Sequence, residues 1–438
     1  MKVCLISLGC DKNLVDSEKM LGLLRDAGHE ITDDENEAEA IIINSCCFIH
    51  DAKEESIENI IAAAERKKSG VLKRLVVTGC LAERYADEIR KEIPEVDAVL
   101  GTTAWESVTA ALKTKKGITK KRELSYLPDP KVRRFQAPGN HVSYLKISEG
   151  CNKHCTYCVI PSVRGPYRSF SMEELVTEAS ELAEAGAKEL ILVAQETTVY
   201  GVDLYGEKKL PELLQRLCKI DGIERIRLMY CYPEEITDEL IAVMKEEPKI
   251  CKYLDMPIQH ASDEILKRMG RKTTEKELRT VLKKLRKEIP GIALRTTLIT
   301  GFPGETEEDM EKLKKFVVSG KFDRLGVFPY SKEEGTPAAV MKNQVPKRIR
   351  VRRKNEIMRL QRDICAEKAK KCIGKRFDVM VDGFLPGDEV YVGRTYRDAP
   401  GIDGMVYFTA NRTLMSGETV SVRITGAGEY DLIGEIKE

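Results

Sequence analysis

Two successive α/β domains followed by a small β-barrel are the architecture this sequence predicts, on three observations. Up to residue 123, short apolar strand-like runs alternate with helical patterns, which indicates a small parallel α/β sheet. From 141 to 364, strand and helix patterns alternate in about six units, which indicates an open barrel or partial TIM barrel. From 373 to 438, five short runs alternate in the β manner between Gly-, Pro- and Asp-rich turns, which suggests an OB-like barrel. With 438 residues, the chain has length for two to four domains, each with its own core.

In the first domain, residues 3–8, 40–43, 75–78 and 98–100 read as short buried strands, and 16–27 and 53–67 as helices. Ligands of such sheets sit at the carboxyl ends of the strands. Three cysteines hold that place: Cys10 in Ser7-Leu8-Gly9-Cys10, Cys46 in Asn44-Ser45-Cys46, and Cys80 in Thr78-Gly79-Cys80. They are ligands converging on one edge, or small buried fillers, a common use of free cysteine. Neighbouring side chains on extended backbone diverge, so only one of Cys46 and Cys47 faces the edge. Cys4 lies within a strand and reads as core. From 113 to 140 the chain turns basic and proline-bearing. Residues 124–140 read as a linker with a solvated charged surface, a contact with ribosomal RNA being the other reading.

The second domain opens on a strand at 141–147, directly followed by Cys151, Cys155 and Cys158 at the spacing C-x3-C-x2-C. Three thiolates on one short loop suit three irons of a cubic iron–sulfur cluster. A structural site takes four ligands, so the fourth iron would stay open. The competing reading is zinc with His154 as fourth ligand, but adjacent His154 and Cys155 would have to wrap one ion in a very tight loop. Glu196, in Gln195-Glu196-Thr197-Thr198, follows the next strand and is a partner for an ammonium group or a helix-start carboxylate. Arg295, within 293–299, suits a carboxylate in the barrel or a structural ion pair. His260 reads as structural. Cys218, Cys231, Cys251, Cys365 and Cys372 show no ligand spacing and read as small apolar residues. Residues 346–371 read as a strongly charged amphipathic helix with a solvated face, a contact with ribosomal RNA being the other reading, its end at 365–372 leading into the last domain.

The formal net charge of +1 gives no general attraction to nucleic acid or to a membrane. No apolar run reaches the length of about 18 residues that a spanning helix needs. No signal-peptide pattern precedes the first strand, so a cytoplasmic location is expected. There, thirteen cysteines argue for metal ligands and free thiols rather than a disulfide framework. Residues 373–438 carry seven Lys/Arg against eleven Asp/Glu, a net charge of about −4. Phosphate binding needs the opposite sign, so this barrel suits a basic protein partner better than RNA.

The spacing of Cys151, Cys155 and Cys158, with the aromatic Tyr157, resembles the signature of radical S-adenosylmethionine enzymes. In these, the open iron takes the amino and carboxylate groups of S-adenosylmethionine. The order of parts over essentially the whole chain resembles the methylthiotransferase family: a three-cysteine domain, a radical S-adenosylmethionine barrel and a TRAM barrel. One branch of that family modifies isopentenyl-adenosine in tRNA, and another an aspartate of small-subunit ribosomal protein S-twelve. Ser7-Leu8-Gly9-Cys10-Asp11-Lys12-Asn13-Leu14-Val15-Asp16-Ser17-Glu18 resembles the ribosomal-protein branch, where the tRNA branch has a Gly-Cys-Gln-Met-Asn type of sequence. Val392-Gly393-Arg394-Thr395, Ala399-Pro400-Gly401-Ile402-Asp403-Gly404 and Glu429-Tyr430-Asp431-Leu432 resemble the same branch.

The resemblance implies a first domain over 1–123 with an auxiliary 4Fe–4S cluster on Cys10, Cys46 and Cys80. It implies a radical domain over 141–364 with a second such cluster on Cys151, Cys155 and Cys158, and a TRAM domain over 373–438. Tyr157, Glu196 and Arg295 are its candidate contacts to S-adenosylmethionine, with no catalytic residue beyond the cluster ligands. S-adenosylmethionine would be both radical source and methyl donor, the radical taking a hydrogen from the aspartate β-carbon. Expected partners are ribosomal protein S-twelve, within the ribosomal subunit or free, and an electron donor such as flavodoxin or ferredoxin, with no tRNA and no membrane. Alternatives are the tRNA enzyme, a zinc-stabilised RNA-binding protein, and a radical enzyme whose N-terminal cysteines are mere core.

Overall fold

A computed structural model describes residues 1–114, 117–137 and 139–436. The N-terminal sheet is six-stranded and parallel, in the order Glu30–Ile31, Lys2–Ser7, Ala40–Ser45, Arg74–Gly79, Ala98–Leu100, Ile118–Lys120. Ala40–Ser45 is buried throughout, as a central strand covered on both faces must be. The two outermost strands escape the sequence pattern. Glu30–Ile31 has two residues, and Ile118–Lys120 lies in the basic stretch, held by main-chain pairing to Ala98–Leu100. Ser7 pairs with Asn44, and Ser45 with Gly79, so the carboxyl ends of three neighbouring strands are level.

The first helix spans Asp11–Asp26 rather than starting at residue 16. Its opening turns carry Lys12, Asn13, Asp16, Ser17, Glu18 and Lys19, all buried although polar. This face packs against the second domain through hydrogen bonds and ion pairs. No apolar period marks its start, and a pattern search begins too late.

The segment after residue 124 is not simply a solvated linker. The Arg134 side chain is 3% exposed and lies between Glu18 of the first domain and Glu178 of the second, 3.1 Å from the latter. It also donates to the Tyr144 carbonyl. Lys19 reaches Glu178 at 3.1 Å and the Pro130 carbonyl at 3.0 Å. Composition showed the charge of this stretch but not its partners, which come from two other domains.

The second domain is an open sheet of six parallel strands: Val142–Lys146, Glu189–Val193, Arg225–Leu228, Ile250–Asp255, Ala293–Thr300 and Arg324–Pro329. Its order in space follows the chain, as repeated β/α units require. Capping boxes at Ser171/Glu174, Thr274/Glu277 and Thr306/Asp309 start three of the covering helices.

Helix Lys347–Lys370 leads to a closed five-stranded barrel in the order Arg376–Leu385, Val390–Arg394, Val406–Thr409, Leu432–Glu435, Thr419–Ala427. The segment 395–403 enters the open barrel from the amino ends of its strands, where Ala399 packs with Ile191, Val193, Met229, Tyr253 and Ala293. Around it, Glu189 accepts from Arg227 at 2.7 Å and Arg394 at 2.8 Å, and Tyr253 donates to Asp403 at 2.7 Å. Asp382 pairs with Arg394 and His141, and Asp398 with Arg324. Part of the tail's acidic excess is therefore spent inside the molecule, leaving less of it for a partner.

Burial alone would raise Glu189, but Arg227 and Arg394 outweigh it and hold the carboxyl at about 2. A depressed acid contributes stability above its unfolded value near 4.5, lost as pH falls through the folded one. The shift corresponds to about 3 kcal/mol. Between pH 4.5 and 2, proteolysis should begin to release the C-terminal barrel, and Glu189→Gln should flatten that pH dependence.

Candidate active site

The level strand ends bring the first cysteine trio together. Cys46 and Cys80 each stand one residue past the Ser45–Gly79 pair, and Cys10 caps the helix that follows the neighbouring strand. Gly9 has φ +90°, and a Cβ there would lie 2.6 Å from the Cys46 Cβ and 2.8 Å from its sulfur. Gly79, at φ +91°, likewise leaves no room for a side chain beside Asn44 and Ser45. Cys47 is fully buried, in the cluster that holds Ile41, Ile43 and Val77, and is near Cys80 and Arg84. The trio is held from below by Asn13, whose amide donates to the carbonyls of Leu8 (2.9 Å) and Ser45 (3.1 Å).

The second trio lies on the loop after Val142–Lys146. The loop is pinned where Thr156 donates to the carbonyls of Met269 and Arg268 and Cys151 donates to that of Gly165. The amides of Lys153 and Ile160 point at the sulfurs of Cys151 (3.5 Å) and Cys158 (3.4 Å). Tyr157 packs edge-on to Phe302, at 6.4 Å between ring centres. His154 is exposed, at φ +51°. A cleft of about 460 Å³ opens along Cys155, Cys158, Arg84 and Pro337.

Burial pushes the thiols of Cys46 and Cys158 up to about 12, Cys151 to about 11, and Cys80 upward too, although Arg164 opposes it there. Such sulfurs keep their protons unless a metal takes the proton's place. Among the described residues, no three His, Cys, Asp or Glu side chains crowd round a point where a single ion could sit. A cubic cluster offers each thiolate its own iron, so its ligands stand apart. Both donor sets fit that group.

Glu196 follows the strand Glu189–Val193 and is fully buried. One carboxylate oxygen accepts from the Thr198 amide at 2.9 Å and from its hydroxyl; the other has no hydrogen-bond partner among the described residues, with Lys153 4.0 Å away. Burial pushes this carboxyl up to about 7, against Thr198 and Lys153. It is aimed where a cation would satisfy it. Arg295 is elsewhere. It is the third residue of its strand, paired with Asp255 at 2.7 Å and with Asp403 of the inserted segment at 3.5 Å. His260 is buried, its Nδ1 accepting from the Ser262 amide and its Nε2 3.4 Å from Glu305.

The two trios lie on either side of one short loop. The Tyr230 hydroxyl donates to Asp11 at 3.0 Å, beside Cys10, and the Tyr232 hydroxyl is 3.5 Å from the Cys155 sulfur. Arg164 ties the first trio to Glu149, two residues before Cys151. Fully buried, it donates to the Cys80 sulfur (3.4 Å), Asp16 (2.7 Å), Glu149 (3.1 Å) and Asn13, while Lys146 binds the same two carboxylates. Burial would raise Glu149, but Arg164 and Lys146 hold it well below the usual carboxylate range.

Three family models match in this order: one described as Uncharacterized protein family UPF0004 over residues 2–101, the Radical SAM superfamily over 145–317, and the TRAM domain over 373–436. The chain is 61% identical to the ribosomal protein uS12 methylthiotransferase RimO of Lachnoclostridium phytofermentans, over 99% of both chains. This chain belongs to the radical S-adenosylmethionine methylthiotransferase family. The Clostridioides difficile protein of the same name is 48% identical, over 100% of this chain and 99% of that one. Among solved structures, the radical S-adenosylmethionine methyltransferase TsrM of Kitasatospora setae, with cobalamin and a 4Fe–4S cluster bound, has a TM-score of 0.57 at 15% identity. It covers 87% of this chain and 81% of its own. The cobalamin-dependent radical enzyme OxsB gives 0.51 at 13%, over 82% and 56%. At such identities the likeness is one of fold.

Enzymes of this methylthiotransferase family use S-adenosylmethionine and 4Fe–4S clusters. The sequence reading overlooked Lys12, Asp16, Lys146, Glu149, Arg164 and Tyr230. The available signal was a helix start dense in charge yet lacking an apolar stripe. Their convergence from distant segments left no spacing to find.

Proposed function

We propose that this methylthiotransferase adds a methylthio group to the β-carbon of an aspartate in ribosomal protein S-twelve, the protein named in its full-length relatives. The observation that carries the reading is the pair of cysteine trios bracketing the loop from Tyr230 to Tyr232. Cys151, Cys155 and Cys158 would hold the cluster that binds S-adenosylmethionine, and Cys10, Cys46 and Cys80 the auxiliary one. When bound, S-adenosylmethionine supplies the hydrogen-abstracting radical and the methyl group, chemistry no side chain can perform. Glu196 would bind its ammonium through the unpartnered oxygen, and Tyr157 would line the cluster loop. The buried joint of Arg164, Lys146, Asp16 and Glu149 fixes the distance between the two cysteine sets. The cleft beside Cys155 and Cys158 gives an electron donor such as flavodoxin or ferredoxin its approach. The setting is cytoplasmic; among the described residues no helix is long and apolar enough to cross a membrane.

Anaerobically reconstituted, reduced enzyme should transfer a methylthio group to S-twelve, detected by mass and located by fragmentation. Transfer to tRNA instead would establish the other branch. Glu196→Gln should weaken S-adenosylmethionine binding about 10–100-fold in equilibrium dialysis, the worth of a charge-assisted hydrogen bond. It should leave the melting of the metal-free protein unchanged or raised, because an unpartnered buried carboxylate oxygen costs stability.

A further inference from the structure

Among the described residues three lysines are buried, Lys12, Lys19 and Lys146. Lys19 is paired with Glu178, and Lys146 with Asp16 and Glu149. Lys12, 5% exposed, reaches no carboxylate within ion-pair distance among the described residues. Asp11, its neighbour in sequence, is turned to the Tyr230 hydroxyl. The Lys12 ammonium instead stands 3.2 Å above the centre of the Tyr230 ring. A ring face offsets only part of the cost of taking an ammonium out of water.

The ring is set there at a cost of its own. Tyr230 has φ +60°, a conformation rare for a bulky residue, and is held in it by Asp255, which accepts from its amide at 3.0 Å, and by Asp11 at its hydroxyl. Strain that persists because its surroundings impose it is a mark of functional sites. The position fits. Lys12 is two residues after Cys10, and Tyr230 is two before Tyr232, whose hydroxyl touches the Cys155 sulfur. Among the described residues Lys12 has no ion-pair partner, and the acids nearest it, Asp11 and Asp255, are taken up by Tyr230 and Arg295, so this lysine between the two cysteine sets is a place for an incoming carboxylate.

We propose that Lys12 is the specificity-determining residue that binds the side-chain carboxylate of the target aspartate and so presents the adjacent β-carbon between the two cysteine trios. This rests on the reading of the target given above. Tyr230 is the positioning residue that keeps the ammonium in place.

The test uses full-length reconstituted enzyme, as wild type, Lys12→Met and Lys12→Arg, with S-twelve carrying either its target aspartate or asparagine in that place. Wild type should favour aspartate by about 100-fold in kcat/KM, the range of a charge-assisted contact. Lys12→Met, an unbranched neutral replacement, should raise KM for S-twelve and bring the preference within about threefold, with iron content and melting temperature as in wild type. Lys12→Arg should keep most of the preference. An unchanged preference in Lys12→Met overturns the proposal, as does loss of iron from that variant or an effect confined to the KM of S-adenosylmethionine, whose own carboxylate would then be the ligand. If wild type modifies aspartate and Lys12→Met keeps its preference, only the role of Lys12 falls. If wild type modifies tRNA instead, the target reading falls and this proposal with it.

Discussion

Cys46→Ala is expected to abolish methylthio transfer while S-adenosylmethionine cleavage by the reduced enzyme continues. The residue sits at the end of the central strand of the first sheet, against Gly9 and beside Cys10, and contributes nothing to the loop that carries Cys151. Its removal leaves two thiols for a cluster that needs three, so sulfur delivery is lost and the other cysteine set is untouched. Cys47→Ala is the control. Cys47 is fully buried among Ile41, Ile43 and Val77, so its truncation should cost some stability and, with Cys46 as the ligand, spare the product. Separate assays of 5′-deoxyadenosine and of methylthiolated S-twelve distinguish the two activities. Full product from Cys46→Ala would remove the auxiliary role of the N-terminal trio.

Arg164→Met should weaken the joint between the first two domains by about 3–5 kcal/mol, because it leaves buried Asp16 and Glu149 to share Lys146 alone. Both carboxylates are more than nine-tenths buried, so neither regains water to compensate. The same change strips Asn13 and the Cys80 sulfur of a donor. We expect earlier proteolytic cleavage between the domains and incomplete iron loading at the auxiliary trio. Arg164→Lys should rescue poorly, since one ammonium cannot reproduce a planar fork that reaches four groups. Arg164→Met combined with Asp16→Asn should recover part of the loss, the remaining charges then balancing. Stability should be read domain by domain, as three units of this kind need not melt together.

The parts that were legible in the sequence are the periodic and local ones. The run Ala40-Ile41-Ile42-Ile43 announces a central strand, the alternation through 141–364 an open barrel, and C-x3-C-x2-C a loop that needs no tertiary information. Cys10, Cys46 and Cys80 were visible because parallel strands end level, so their place in the chain stood in for their place in space. What stayed hidden depends on contacts between domains. Arg134 looks like any other linker arginine until Glu18 and Glu178 close on it from two sides. Arg295 suited a carboxylate in the barrel or a structural ion pair, and it is ion-paired with Asp255 of the neighbouring strand and with Asp403 of the inserted segment, which no spacing announced. The barrel's net charge was countable, whereas the part neutralised from outside it, at Asp398 by Arg324 and at Asp403 by Arg295, was not.

Iron stoichiometry tests the central claim most directly. Chain reconstituted without air should hold about eight irons if both clusters are cubic, and about four when Cys10, Cys46 and Cys80 are all alanine or when Cys151, Cys155 and Cys158 are. About four irons in wild type that survive loss of the N-terminal trio, or zinc in place of iron, would contradict the account.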